Sequence, residues 1–163
     1  MLFRSISNID DENVVFNESE NDWESSQTHK NFKLSSISEV KSVKIDSLFN
    51  SLDYLDYQII IKLDIEGNEM RAIQGSLEII EKMSPLIIIE FSKYIFNKQE
   101  NIKYLENFLY KYKYSIYDRN KSKIDLENII IKINNLVKGY DTIGNYYLIK
   151  NDSKMLQEFL ISE

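Results

Sequence analysis

The chain has 163 residues with a formal charge of −6, and 43% of its residues are hydrophobic and 28% charged. That is enough for one domain with a real core and ordinary for a soluble globular protein. The absence of cysteine excludes disulfides, thiolate catalysis and cysteine-ligated zinc, and no run approaches the roughly 18 apolar residues of a membrane helix. The acidic balance argues against nucleic acid, whose binding relies on lysine and arginine contacts to phosphate. The N-terminal MLFRSISNIDDENVV carries too short an apolar run for a secretory signal. The cytoplasm is the expected compartment, with no membrane partner.

Residues 1–40 read as an irregular polar segment or a hairpin. Asn13 to Phe16 (NVVF) suits a short strand, whereas Asn17 to Asn31 is polar and lacks Gly or Pro to define tight turns. The only Trp and the only His, Trp23 and His29, lie in that stretch. A single His in a polar loop is more readily solvated than catalytic, although His is the commonest general base. From residue 41 to 150 an α/β core is expected. SVKIDSLFNSL reads as a short strand or turn followed by one helical turn. Gln58 to Ile65 is nearly continuous and β-branched, which predicts a strand buried on both faces.

Gly67 supplies a permissive turn and Asn68 an N-cap. One amphipathic helix is then expected, with Met70, Ile73, Leu77 and Ile80 on one face and Arg71, Gln74, Glu78 and Glu81 on the other. Pro85 ends it, and Leu86 to Phe91 forms a second fully apolar strand. Strand, helix and strand within residues 58–91 make a βαβ unit whose strands are parallel and central.

A further helix carries Ile102, Leu105, Phe108, Leu109 and Tyr112 along one side. The stretch Leu109 to Lys123 interleaves Tyr and Lys as a nucleic-acid stacking platform does. Its alternation also fits a helix end followed by a half-buried strand at Tyr114 to Asp118, which is the reading adopted here. Asp125 to Val137 reads as helical, Asn145 to Lys150 as a last strand, and residues 151–163 as a terminal amphipathic turn.

Chemistry concentrates in IKLDIEGNEMRAIQGS, where Asp64, Glu66 and Glu69 are a catalytic cluster, a metal site or a solvated helix start. In open parallel α/β sheets, ligands bind outside the carboxyl ends of the strands. Asp64 and Glu66 sit at the end of the first predicted strand, Glu90 at the end of the second. Adjacent strands lie about 4.8 Å apart, so these acids can converge. Lys62 shares a strand face with Asp64 and needs a partner or a water-lined exit. Glu69 suits the helix dipole, a role worth about 0.3–1 kcal/mol. A metal-dependent nuclease also places acids on adjacent strands, but with a lysine two residues after the Glu. Lys93 comes three after Glu90 and points to the opposite face, so that reading is poor. No metal is expected.

Lys62, Asp64, Glu66, Gly67, Glu69, Gly75, Pro85 and Glu90 stand here in the order and spacing of a known signature. It resembles that of the FkbM family of S-adenosylmethionine-dependent methyltransferases. Val43 to Leu48 (VKIDSL) is similar to the family's Thr-x-Asp-x-Leu element, Glu24 to Ser26 to a serine-containing stretch before it, and GNYYLIK to its last strand. The resemblance covers roughly residues 10 to 150.

It implies a Rossmann-like class I methyltransferase fold with a mostly parallel sheet and an antiparallel last strand. Such domains bind the cofactor with a glycine-rich turn. This chain has four glycines, and none lies in a Gly-x-Gly turn. The resemblance therefore implies a single partial domain over 1–163, lacking the cofactor-binding half, and no cofactor-contacting residue carries over. The implied reaction is O-methylation of a sugar or other hydroxyl-bearing small molecule, by a chain inactive alone. Asp64 is the first candidate for general base, Glu66 and Glu90 for acceptor contacts, and Lys62 for the partner of Asp64. Glu18 to Lys33 and Asn120 to Thr142 are expected to choose the acceptor. The alternative is a non-catalytic remnant, kept as a binding or assembly module and pairing with another chain through its exposed sheet edge.

Overall fold

The computed structural model describes residues 4–19, 34–49 and 57–161. Trp23, His29, Glu24 to Ser26 and most of the Glu18 to Lys33 segment lie outside them. The chain divides into two compact units, Met1–Leu52 with Ile65–Leu77, and Asp53–Asp64 with Glu78–Glu163.

The first unit holds strands β1 (Arg4–Ile6), β2 (Asn13–Ser19) and β3 (Leu34–Val43) in the order β1-β3-β2. β2 and β3 pair antiparallel, with Val14 opposite Val40. β1 lies parallel to β3, with Ile6 opposite Val43. The chain turns between β1 and β2 around Ser42, whose hydroxyl accepts from Glu12 N at 3.1 Å and donates to Ile9 O at 2.5 Å. Helix α1 (Ile45–Phe49) begins where Asp10 accepts from Lys44 N at 2.8 Å and Ser47 Oγ at 2.7 Å. These two hydrogen bonds hold the Asp10 carboxyl below its ordinary range.

The expected single helix is two. Helix α2 (Glu69–Gln74) stops at Gly75–Ser76, and α3 (Leu77–Met83) follows. The cause is a close approach of backbone: a Cβ at Gly75 would lie 2.1 Å from Ser7 O. The Gly75 carbonyl meanwhile accepts from Asp46 N at 2.8 Å instead of continuing a helical ladder. Arg71 and Gln74 face polar partners, as the pattern predicts. Arg71 donates to Asn8 at 2.9 Å and to Glu12 at 2.6 Å, and Gln74 accepts from Asn8 at 3.0 Å. Asn68 precedes α2 without a side-chain capping bond.

The second unit is a five-stranded sheet, ordered β4 (Ile60–Leu63), β5 (Leu86–Ser92), β8 (Thr142–Lys150), β6 (Tyr114–Tyr117) and β7 (Lys123–Ile124). β4 and β5 are parallel, in register from Ile60 opposite Leu86 to Leu63 opposite Ile89. β8 runs antiparallel to both β5 and β6. A mostly parallel sheet is therefore not what the described strands form; both sheets are mixed. One reversed strand inserted between β5 and β6 makes both of its pairings antiparallel, although β4, β5 and β6 all run the same way.

Among the described strands β4 lies at the edge of this sheet rather than at its centre. It is buried on one face only, with Ile61 and Leu63 covered while Ile60 is 60% exposed. The face shared by Ile61, Leu63, Ile87, Ile89, Phe91, Ile116 and Leu148 is buried. Helices α4 (Lys93–Phe96), α5 (Gln99–Tyr112) and α6 (Leu126–Asn134) belong to this core, α5 packing on β6 and α6 on β8. All four β6 residues are buried, where alternation predicts half. Tyr114 donates to Pro85 O at 3.0 Å and packs on Phe108, while Tyr117 meets Phe159 of α7 (Lys154–Ile161). Packing on both faces thus overrides the pattern. No helix among the described residues is long and apolar enough to cross a membrane.

Candidate functional site

The topology places the ends of three strands on one edge of the five-stranded sheet. β4 and β5 are parallel, and β6, antiparallel to β8, runs with them. Their carboxyl ends are Leu63 to Asp64, Glu90 to Ser92, and Tyr117 to Asp118. In α/β sheets this is the edge at which ligands bind.

Here Asp64 and Glu90 come together, each offering a carboxylate oxygen within 4.8 Å of the other. Lys62 donates to Asp64 Oδ2 at 2.8 Å. Its ammonium is held above the ordinary lysine range by that hydrogen bond, then by the charges of Asp64 and Glu90. The lysine in an apolar run thus has both a partner and an exit to water, since it lies on the open face of the edge strand.

Glu66 and Glu69 belong to the first unit and differ in kind. Glu66 is half-buried and adopts φ 55°, with Gly67 following at φ 96°. Asn68 N closes the turn onto Ile65 O at 3.4 Å. Positive φ at both central residues is the pattern of primed turns, at which Gly is at ease and Glu is strained. Glu69 is not a solvated helix start. It is 1% exposed, and its Oε1 accepts from Ile65 N at 3.1 Å. Its Oε2 is buried with no hydrogen-bond partner among the described residues. Burial pushes this carboxyl above its ordinary value, against the pull of nearby backbone N–H groups and with a smaller push from Glu66.

Lys93 opens α4 and donates to Tyr140 O at 2.7 Å, away from Glu90. Within the Tyr- and Lys-rich stretch, Lys111 lies over the Tyr112 ring at 4.7 Å and Tyr114 is buried, leaving Tyr110 exposed. Sequence reasoning named the segment Asn120 to Thr142, which begins in the turn after β6, but did not single out Asp118, Arg119 or Asn145. Asn145 pairs with Glu90 in the β5–β8 register. The signal available for it was only its place at the start of a predicted strand.

The turns of this edge do not fit a glycine-cradled cofactor. The β4–α2 turn carries the single Gly67 beside an acid, and β5 enters α4 through Ser92 and Lys93 with no glycine. What the edge offers is a pair of carboxylates beside a lysine.

An α/β protein with a strand-end carboxylate site is thus defined. The family model described as the methyltransferase FkbM domain matches residues 5–116, and the chain belongs to that family of methyltransferases. No curated protein and no solved structure matches the chain.

Proposed function

We propose that this chain supplies the acceptor side of an S-adenosylmethionine-dependent O-methyltransferase acting on a sugar or other hydroxyl-bearing small molecule. The observation that carries the proposal is the Asp64–Glu90 pair at the carboxyl edge of a sheet within the matched stretch. The match runs through both units, which supports a single Rossmann-like class I domain. Asp64 takes the acceptor hydroxyl's proton, Lys62 orients Asp64, Glu90 holds the acceptor, and Glu66 shapes the turn. No metal is assigned to these carboxylates. The donor's glycine cradle comes from outside these 163 residues, so the chain alone is inactive. The proposed compartment is the cytoplasm, and neither nucleic acid nor membrane is a proposed partner.

Calorimetric titration of the 163-residue chain with S-adenosylmethionine is expected to show no binding. When a partner polypeptide supplies the glycine-rich turn, Asp64→Asn is expected to lower kcat by about 100-fold or more, the usual scale of general-base catalysis. Full turnover by that variant removes Asp64 from the mechanism.

A second reading, an assembly module, is favoured by one observation. β4 is an edge strand with Ile60 60% exposed and Tyr57 69% exposed. Such an edge offers unpaired backbone groups to another chain.

A further inference from the structure

A groove of about 530 Å³ is lined by Asp118, Arg119 and Asn120 after β6, Lys132 of α6, and Asn145 and Tyr146 of β8. Its charge runs against that of the molecule. The chain carries a net −6, yet two cations face one carboxylate here. Asp118 directs its Oδ1 into its own turn, accepting from Asn120 N and Ser122 N at 2.9 Å each. Neither Arg119 nor Lys132 has a carboxylate partner among the described residues. Lys132 is held in place by neutral contacts, donating to Tyr146 Oη at 3.3 Å and lying 5.6 Å from the centre of its ring. A held lysine and an exposed arginine lining one groove are suited to a ligand's acidic group, Arg with its planar fork and Lys as a point charge.

Asn145 joins this groove to the candidate site. It lines the groove and is the direct cross-strand neighbour of Glu90. Such pairs place their side chains on one face of the sheet, with Cβ atoms about 5 Å apart. The exposed amides of Asn120 and Asn145 add donors and acceptors suited to hydroxyls.

We infer that this groove binds a hydroxylated small molecule bearing a carboxylate or a phosphate, its acid against Arg119 and Lys132 and its hydroxyls toward Asn120 and Asn145. That this molecule is the methyl acceptor rests on the function proposed above; that it binds here does not.

The test is a titration of the 163-residue chain with glucuronate, glucose 6-phosphate, glucose and inorganic phosphate, followed by amide NMR shifts. Both acid sugars are expected to shift residues 118–120 and 144–146 saturably, glucose not at all, and the tighter of the two identifies the acid. Arg119→Gln and Lys132→Gln, at exposed positions where folding is preserved, are expected to weaken Kd about tenfold each, the scale of one lost charge-assisted contact. Lys103→Gln, on α5 outside the groove, leaves binding unchanged. The inference is overturned if no acid sugar binds, or if binding survives both groove substitutions. Phosphate alone binding as tightly as glucose 6-phosphate overturns the hydroxyl half of the assignment. Acid-sugar binding together with full turnover of Asp64→Asn instead overturns the catalytic role and leaves the groove standing.

Discussion

Glu69 and Asp64 exchange the environments that spacing suggests for them. A charge at a helix start is ordinarily solvated, and an acid closing an apolar strand ordinarily buried. Here the edge position of β4 turns Lys62 and Asp64 outward together, while Glu69 folds back beneath the turn to receive Ile65 N. Hydrophobic periodicity carries no information about such a reach, which depends on the positive φ of Glu66 and Gly67. The consequence for stability has a definite sign. The folded-state value of Glu69 lies above its ordinary 4.5, so folding favours the protonated form. Its contribution is fully present below about pH 4.5 and is lost as pH rises through the raised value. Glu69→Gln is therefore expected to raise Tm at pH 7 by roughly 2–4 °C, as a buried charge that backbone N–H groups compensate only in part costs about 1 kcal/mol or more and a chain of this size shifts by that much per kcal/mol. The gain shrinks toward pH 4, and thermal melts of both proteins across that range measure it. An offset that does not change with pH contradicts the assignment.

At the scale of elements, the strands and helices were readable because each carries its period, and the break between α2 and α3 was not. Met70, Ile73 and Ile80 keep one phase across Gly75 and all are buried, so the pattern passes unbroken through a chain that bends. What breaks the helix is Ser7, far away in sequence. Gly75 itself has φ −82° and needs no left-handed freedom; what it needs is space. Gly75→Ala is expected to destabilise the protein by at least about 2 kcal/mol, since the clashing atom is backbone and cannot rotate away. Urea unfolding measures this, and a loss under about 0.5 kcal/mol, the range of an ordinary surface substitution, speaks against the contact.

For the whole molecule, the βαβ pairing at 58–91 was legible because its strands are apolar, parallel and joined by helical periodicity. The position of β8 was not. NYYLIK states that a strand exists, and nothing local states that it enters between β5 and β6. That insertion makes the sheet mixed and brings Asn145 beside Glu90. β4 lies at the margin of the described strands, with Ile60 60% exposed. If that edge pairs with another chain, Ile60→Lys is expected to lower self-association, because edge lysines oppose strand addition. Sedimentation at several concentrations reads it, and an unchanged distribution of an associating wild type rules the edge out as the contact.

The shallow seat of α7 sets the order in which the fold loosens. β5 holds Ile87, Ile89 and Phe91 at 0% exposure, whereas α7 has no buried residue. α7 rests on the sheet through Met155, Leu156 and Phe159, with the Phe159 ring 5.1 Å from Tyr147 and 5.8 Å from Tyr117. Fully buried side chains contribute about 1.5–3 kcal/mol each, and partly covered ones proportionately less. The free energy of undocking α7 is thus expected to lie below that of opening β5, so that its amides exchange before those of β5. Each undocking bares Tyr147, a residue that also lines the groove at Arg119, so the breathing of the last helix is felt where the ligand is proposed to sit.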